Sequence, residues 1–386
     1  MLPAERRASV ALAGVFALRM LGLFLVLPVF ALQAAHLPGG DDPARVGLAM
    51  GIYGLVQAGL QIPLGWASDR WGRKPVILGG LGLFALGSLM AAWAPTLGWL
   101  TLARAVQGAG AISAAVTALL ADLTRDTVRT QGMALVGASI GLSFALSLVA
   151  APPLAAWVGL GGLFVLTAVL TLAGMAAVAW VVPPEPPRPP QRPVTPLRSV
   201  LTDPALLRLD LGVLALHTLQ MSMWVAVPGL LVAAGLPQGQ HWQVYLAALA
   251  ISLALMGGVL LRLERRGHLG WMLRAAIGLL LLAQLLLAWA QSHSASLALL
   301  ALALMVFFTG FNTLEASQPS LVSRLAPPEA RGAALGIYNT LQSLGLFAGG
   351  AIGGWLLRQA GADAVFAAGA GLAALWLLLA WRQPLP

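Results

Sequence analysis

The chain has 386 residues, of which 59% are hydrophobic and only 9% charged, and its formal net charge is +9. A soluble fold could not hide that much apolar surface from water, so the composition predicts an integral membrane protein. The absence of cysteine excludes disulfides, thiolate metal sites and a cysteine nucleophile. The 22 basic residues are spread over many short polar segments, which argues against a nucleic-acid-binding face.

Apolar segments long enough to cross a hydrocarbon core of about 30 Å recur along the whole chain. They are too numerous for a secreted protein that follows a signal peptide. Because the number of crossings is even, both termini are predicted on the same side of the membrane. The twelve predicted transmembrane helices lie near residues 10–34, 45–65, 75–94, 97–120, 129–151, 160–182, 208–234, 242–262, 270–290, 295–322, 330–357 and 362–381.

A compact charged segment, GWASDRWGRK from Gly65 to Lys74, separates the second and third predicted spans. We expect this segment to form a loop at one face of the membrane. Gly65 is expected to permit close helix approach, and Gly72 to allow a tight turn that a Cβ would disfavour. Asp69 is the mechanistic candidate, because a carboxylate there can meet the exposed amides at the N-terminal end of a neighbouring helix.

Basic residues are distributed unevenly between the two sides of the predicted membrane. The side that holds the termini carries 18 of the 22, whereas the opposite loops hold only Arg45 and Arg358. Since basic loops stay in the cytoplasm, the termini and the Asp69 segment are predicted to be cytoplasmic. The remaining two basic residues, Arg19 and Arg104, fall within predicted spans.

A proline-rich stretch divides the twelve spans into two groups of six. Eight of the fourteen residues from 183 to 196 are proline, which predicts an extended, non-helical linker. The predicted organisation is an N-terminal six-helix bundle at 1–182, a cytoplasmic linker at 183–207 and a C-terminal six-helix bundle at 208–386.

The two groups of spans echo each other in sequence. Asp69–Arg73 follows the second span, and Glu264–His268 follows the eighth with a similar charge pattern. A similar charge pattern at the equivalent position of each group is expected of parallel halves that each contain inverted three-helix units. Proteins built in this way bind their substrate near the membrane midplane, between the halves.

Several polar side chains lie inside predicted spans, where an isolated charge is costly. Arg19 and Arg104 are interpreted as counter-charges for a proton-carrying acid, as clamps for an anionic substrate, or as hydrogen-bonding hubs for backbone carbonyls. In span ten, Asn312, Glu315 and Gln318 follow at intervals of three and share one side of the helix. Glu315 is the candidate protonation or substrate site, with a neutral packing residue as the alternative.

Span seven and two aromatic residues add weaker candidates. His217 can titrate near physiological pH, although a lone histidine in a helix is more often a packing residue. Asp210, close to the start of span seven, is expected at the membrane interface. Tyr53 and Trp224 are candidates for lining a cavity.

Taken together, these features resemble the major facilitator superfamily. GWASDRWGRK resembles motif A of that family, G-x-x-x-D-R-x-G-R-K, at every specified position. In span four, Arg104, Gln107, Gly108 and Gly110 resemble motif B of its drug:proton antiporter branch, R-x-x-Q-G-x-G.

Other stretches look like the YajR subgroup of proton-driven efflux transporters, an archetype with a small cytoplasmic C-terminal domain. The sequence ends at Pro386, so we expect this chain to be without that domain. In span five, Ala151-Pro152-Pro153 replaces the Gly-Pro of antiporter motif C, which weakens the antiport assignment more than the fold. The matching stretches are Arg19–Phe24, Gly51–Leu55, Gln61–Pro63 and Ala121–Arg125.

The resemblance implies an all-α membrane protein with two six-helix bundles related by pseudo-two-fold symmetry. It also implies that Asp69 contacts the start of span eleven and that Arg73 pairs with Asp122, which would latch the halves closed on the cytoplasmic side. The motif A gate residues are then Gly65, Asp69, Arg70, Gly72, Arg73, Lys74 and Asp122. The motif B residues assigned to proton coupling are Arg104, Gln107 and Gly108.

The expected function is secondary active transport, by proton-coupled efflux of small amphipathic compounds through alternating access in a bacterial-type inner membrane. Expected partners are the small-molecule substrate, protons and the lipid bilayer. We expect a monomer without a cofactor, a metal ion or nucleic acid. The alternatives are exchange or uptake of an organic anion or a sugar, and more remotely a non-transporting membrane sensor. No enzyme is expected, because the sequence has no metal-ligand cluster, no Gly-x-Ser-x-Gly run and no phosphate-binding loop.

Overall fold

The computed structural model describes residues 1–185, 200–260, 262, 266–292, 296–327 and 330–381, and all regular structure in these residues is helical. Single π-helical turns lie at Ala177–Val181 and Met256–Leu260, each directly after an α-helix, and a 3₁₀ turn lies at Gln238–Gln240. The α-helices are α1 Pro3–Ala34, α2 Pro43–Trp71, α3 Arg73–Ala92, α4 Leu97–Ala109, α5 Ser113–Asp122, α6 Asp126–Ala176, α7 Pro204–Ala233, α8 His241–Leu255, α9 Leu269–Ser292, α10 Leu297–Leu325 and α11 Arg331–Trp381.

Within the described residues, ten helical runs are long and apolar enough to cross a membrane. Two of them, α6 and α11, have 51 residues each, whereas about 20 residues span 30 Å. A glycine with positive φ breaks each long run, Gly159 at 66° in α6 and Gly361 at 79° in α11. The breaks fall between predicted spans five and six and between spans eleven and twelve, so the ten runs accommodate the twelve predicted crossings.

The charged segment from Gly65 to Lys74 is a helical corner, and the expected loop is wrong. Helix α2 continues to Trp71 and α3 begins at Arg73, which leaves only Gly72 between them, with φ 112° and ψ 149°. Helical hydrogen bonding continues beyond the hydrocarbon core, and one glycine in a conformation that L-residues avoid is enough to reverse the chain. The close approach expected at Gly65 is also absent, because a Cβ there would lie 3.5 Å from the Ala114 Cβ, an ordinary contact.

Predicted span four is divided into α4 and α5 by a short break at residues 110–112. A Cβ on Gly108 would collide with the backbone carbonyl of Tyr53 in α2. A Cβ on Gly110 would lie 2.5 Å from the carbonyl oxygen of Gly80 in α3. Two of the motif B glycines therefore let α4 touch the backbones of two neighbouring helices.

The chain forms two compact units. Unit one contains Met1–Gly39 and Ile52–Val194, and unit two contains Gly40–Gly51 and Thr195–Pro386. The start of α2 belongs to unit two because it packs on α11, where a Cβ on Gly350 would lie 2.6 Å from the Gly47 carbonyl oxygen. Residues 186–199 of the predicted linker, and Glu264 and Arg265 of the predicted echo, lie outside the described residues.

Each unit has its own apolar core. In unit one, Leu12, Leu81 and Leu119 bring together α1, α3 and α5. In unit two, Val213 and Val322 bring together α7 and α10, beside α11. These cores hold the helices that carry the polar side chains of the candidate sites.

Candidate functional site

The Arg73 side chain organises the motif A corner of unit one. Its Nη1 donates to the Ser68 hydroxyl at 2.7 Å and pairs with the Asp69 carboxylate, while its Nε donates to Asp122 Oδ2 at 3.3 Å. Arg73 thereby connects the end of α2 to the end of α5. The Asp69 side chain is 62% exposed. Its expected contact with the start of span eleven involves both units and stays a prediction.

The other two basic residues of motif A, Arg70 and Lys74, contact neighbouring residues of unit one. The Arg70 guanidinium lies 5.9 Å from the centre of the Trp66 ring. Lys74 Nζ donates to the carbonyl oxygen of Val182, directly after α6 and its π turn, at 2.6 Å. In unit two, Arg274 at the start of α9 donates in the same way to the Ala380 carbonyl at the end of α11, at 3.2 Å. This repeated contact is expected of two related halves.

An acidic residue of the linker completes the motif A corner, and the sequence does not predict it. The backbone N–H groups of Arg73 and Lys74 donate to Glu185 carboxylate oxygens, at 3.1 Å and 2.6 Å respectively. These are the first two N–H groups of α3. The sequence contains no local signal for this contact, because Glu185 lies more than a hundred residues downstream.

Arg19, Tyr53 and Arg104 form a buried group in the interior of unit one. Arg19 Nη2 donates to the Tyr53 hydroxyl at 2.8 Å and to the Gly110 carbonyl at 3.3 Å. That carbonyl belongs to the break between α4 and α5. The Arg104 guanidinium lies 5.0 Å from the centre of the Tyr53 ring. Tyr53 therefore offers its hydroxyl to one cation and its ring face to the other.

Aromatic rings and a motif B amide complete the surroundings of the two cations. The Arg19 guanidinium lies 5.2 Å from the Phe84 ring centre, and the Arg104 guanidinium lies 5.8 Å from that of Phe30. Arg104 Nη1 donates to Gln107 Oε1 at 2.8 Å. Cation–π contacts of desolvated groups are worth about 2 kcal/mol, which helps to offset the cost of burying these charges.

In unit two, Glu315 lies beside His217 and Gln342, which brings α10, α7 and α11 together. The Gln342 amide nitrogen is 2.8 Å from His217 Nε2 and 3.3 Å from Glu315 Oε1. Glu315 Oε2 is 3.5 Å from His217 Nε2. The Glu315 side chain is 36% exposed and that of His217 is 5% exposed. Gln342 is not among the residues that the sequence predicts for this site.

The hydrogen bonds of His217 indicate which ring nitrogen carries the hydrogen of the neutral side chain. Nδ1 lies 3.1 Å from the Val213 carbonyl oxygen, so the neutral ring carries its hydrogen on Nδ1 and accepts from Gln342 at Nε2. A proton added to Nε2 would remove that acceptor and create a donor facing Glu315 Oε2. The three side chains of this group come from α7, α10 and α11.

The other predicted residues of span ten bond to different neighbours. Asn312 donates to the Ser252 hydroxyl in α8 at 2.9 Å, and Gln318 accepts from the Tyr338 hydroxyl in α11 at 3.2 Å. The polar stripe of α10 thus faces three other helices of unit two. The Asp210 side chain is buried, at 4% exposed, and its expected position at the membrane interface stays a prediction.

Tyr53 and Trp224 are core residues here. Both side chains are buried, and Trp224 packs 5.6 Å from the ring centre of Tyr245 and 6.4 Å from that of Phe308. Neither borders open space in this structure, and their role as cavity walls stays a prediction. In the described part of the chain, no group of three or more His, Asp or Glu side chains is placed to hold a metal ion.

Comparison with known proteins places this geometry in context. The family model described as Major Facilitator Superfamily matches residues 12–350 and 271–386. The chain is 43% identical to the inner membrane transport protein YajR of Escherichia coli K12 over 384 residues, which cover 98% of this chain and 84% of that protein. It is 31% identical to the multidrug resistance protein MdtH of Proteus mirabilis over 352 residues, which cover 87% and 84% of the two chains.

A solved structure shows the same fold. The crystal structure of the human organic anion transporter MFSD10 superposes with a TM-score of 0.74 and covers 98% of this chain and 100% of that chain. At 22% identity, this likeness concerns the fold alone.

Proposed function

Because this chain belongs to the major facilitator superfamily and is a multi-pass membrane transporter rather than an enzyme, we propose that it exports small amphipathic compounds in exchange for protons. The proposed mechanism is alternating access, in which the substrate site opens to one side of the membrane at a time. The proposed location is a bacterial-type inner membrane, with both termini in the cytoplasm and a single chain as the working unit.

The group formed by Glu315, His217 and Gln342 carries this proposal. It contains two titratable side chains within 3.5 Å, joined by an amide that donates toward both. Glu315 is partly exposed and can receive a proton, and His217 is the adjacent second acceptor. Because the three residues lie on three helices, a change in protonation alters helix contacts, as coupling to transport requires.

Two further observations support export of amphipathic compounds. The Phe311 ring packs edge-on against His217, with centroids 5.9 Å apart, and Phe307 stacks on Phe311 at 5.8 Å. Apolar surface therefore adjoins the proposed proton site. One relative that aligns along most of the chain is named for multidrug resistance.

Motif A is the proposed cytoplasmic gate. Arg73 already joins Ser68, Asp69 and Asp122. The Asp69 carboxylate, although paired with Arg73, is 62% exposed, so it can also meet a helix N-terminus as the halves move. We expect Asp69→Asn to abolish most transport while membrane insertion stays normal. Full activity of this variant, at wild-type protein levels, would show that Asp69 is not needed for a cytoplasmic gate.

A contact in unit two supports the proposed orientation. The only two basic residues of the predicted outer loops, Arg45 and Arg358, both lie near the Asp42 carboxylate, with N–O distances of 3.6 Å and 3.0 Å. Their proximity agrees with loops on one side of the membrane. Thiol labelling of single cysteines placed at these positions in intact cells would test the orientation.

Proton coupling is tested with purified protein in proteoliposomes. Transport of fluorescent amphipathic compounds is measured with and without an imposed pH gradient. We expect Glu315→Gln to remove the response to the gradient while exchange of substrate for substrate continues, because the glutamine amide cannot release a proton. Asp363→Asn, at an exposed acid of α11, is the matched control and should respond like the wild type.

Two results would contradict the proposal. If the wild type transports compounds but ignores the pH gradient, proton coupling is wrong. If Glu315→Gln keeps the full response to the gradient, the proton site lies elsewhere.

Exchange or uptake of an organic anion or a sugar remains the second proposal. It would use Arg19 and Arg104 as clamps for the substrate. Both guanidinium groups are enclosed in unit one and directed at Tyr53, Gly110 and Gln107, so this alternative has less support. Competition between organic anions and the amphipathic compounds in the same proteoliposomes distinguishes the two.

A further inference from the structure

Helix α3 begins directly after the corner glycine and receives its cap from a distant residue. The first N–H groups of any helix have no partner within the helix, and Gly72 has no side chain that could supply one. The Glu185 carboxylate accepts from the N–H groups of Arg73 at 3.1 Å and Lys74 at 2.6 Å. A carboxylate at this position also complements the positive end of the helix dipole.

Further contacts hold the same stretch of chain. Lys74 Nζ donates to the Val182 carbonyl at 2.6 Å, and Arg7 Nε donates to the Val181 carbonyl at 3.1 Å. Together with the two bonds to Glu185, they attach the end of α6 and the first residues of the linker to α1 and α3. All of these residues belong to unit one.

Glu185 binds the backbone of Arg73, and the side chain of Arg73 organises the gate. The Arg73 guanidinium contacts Ser68, Asp69 and Asp122, and the position of its Cα depends on how the first turn of α3 is held. Glu185 therefore acts on the gate indirectly, through Arg73. It is also followed directly by the segment that leads to the other half of the chain.

We propose that Glu185 is a positioning residue for motif A, which fastens the beginning of the linker to the gate corner and fixes Arg73 in its gate geometry. The proposal rests on the proposed gate function of motif A. Displacement of the linker is transmitted to Arg73 through the carboxylate. Loss of the carboxylate frees the corner from the linker.

The absence of native cysteine makes a direct structural test possible. Ala67→Cys places a single thiol in α2 next to the corner, at a residue that is 7% exposed, and its rate of reaction with a maleimide reports opening of the corner. Glu185→Ala should raise this rate about fivefold, as expected for loss of a typical helix cap. Glu185→Gln, which keeps one acceptor oxygen, should give a smaller increase.

A second helix cap provides the matched control. Asp203 Oδ1 accepts from the backbone N–H groups of Ala205 at 2.8 Å and Leu206 at 3.4 Å, at the start of α7 in unit two. Asp203→Ala removes a cap of the same chemistry, and it should leave the labelling of residue 67 unchanged. Elution of each variant as a single species in detergent shows that it is folded.

Labelling and transport together decide the proposal. Faster labelling together with slower transport in the Glu185 variants, graded from Gln to Ala, is the expected result. Unchanged labelling in Glu185→Ala, or an equal increase in Asp203→Ala, would overturn the proposal. Faster labelling with unchanged transport would also overturn it, because the corner would then open without affecting the gate. The gate function of motif A, on which this proposal rests, is tested separately by Asp69→Asn.

Discussion

The three tyrosines of this chain form a natural series for testing how buried hydroxyl groups affect stability. All three side chains are buried, but their hydroxyl groups differ in what they contact. Tyr53 accepts from Arg19 at 2.8 Å, Tyr338 donates to Gln318 at 3.2 Å, and the Tyr245 hydroxyl has no hydrogen-bond partner among the described residues. Replacement of each by phenylalanine removes one oxygen and keeps the ring.

The expected changes in the free energy of unfolding follow from these contacts. Tyr53→Phe removes a hydrogen bond to a charged group, which is worth about 1.5–3 kcal/mol, while the ring still faces Arg104. The substitution also removes a partner from the Arg19 guanidinium, whose Nε and Nη1 are buried and, in the described part of the chain, already lack hydrogen-bond partners. Tyr338→Phe removes a neutral hydrogen bond worth about 0.5–1.5 kcal/mol. Tyr245→Phe removes an unsatisfied buried hydroxyl and should be neutral or stabilising.

The series is measured by thermal unfolding of detergent-solubilised protein, followed by tryptophan fluorescence at one heating rate because such unfolding is often irreversible. For a cooperative unit of this size, each kcal/mol of lost unfolding free energy lowers the unfolding midpoint by about 2–4 °C. We expect the midpoint to fall by about 3–12 °C for Tyr53→Phe and by less for Tyr338→Phe. A loss for Tyr245→Phe as large as that for Tyr53→Phe would refute the reasoning, since the hydrogen-bond partners would then not determine the effect.

Three further tests, two of them with a control substitution, use the same unfolding measurement. Gly72→Ala should cost about 1–3 kcal/mol because of the positive φ, whereas Gly65→Ala should be tolerated; equal losses would contradict the single-residue corner. Gly108→Ala should cost about 1–3 kcal/mol through collision with a backbone carbonyl of α2, and Gly79→Ala, with open space around it, should cost nothing. Gln61→Leu should raise the midpoint, because among the described residues neither polar atom of its buried amide has a partner; a decrease would show that the amide is hydrogen-bonded in the folded protein.

The transmembrane architecture was predictable because it depends on local composition. A segment that must cross about 30 Å of hydrocarbon needs some 20 apolar residues, and this requirement can be read along the chain without knowledge of any contact. The breaks of the two long helices at Gly159 and Gly361 fall in the predicted gaps for the same reason. The extent of α2 and α3 was not predictable in this way, since helical hydrogen bonding continues where the apolar residues end.

Some contacts of the candidate sites could be proposed from the sequence, and others could not. The pairing of Arg73 with Asp122 could be proposed from the sequence, but only because the residues resemble a family motif. Nothing local indicates that Glu185 caps α3, or that Gln342 lies between His217 and Glu315, because these partners are more than a hundred residues apart or on separate helices. The burial of Tyr53 and Trp224 likewise depends on neighbours from other helices.

The sequence by itself determined that this protein crosses the membrane many times and which few polar residues lie within apolar helices. It also predicts that the basic residues favour the side of the termini. These properties follow from the cost of placing charge and unpaired backbone in hydrocarbon, a cost that applies to each segment separately. Only the tertiary structure decided which polar groups satisfy one another. Those partners come from helices distant in sequence, and packing alone brings them within hydrogen-bonding distance.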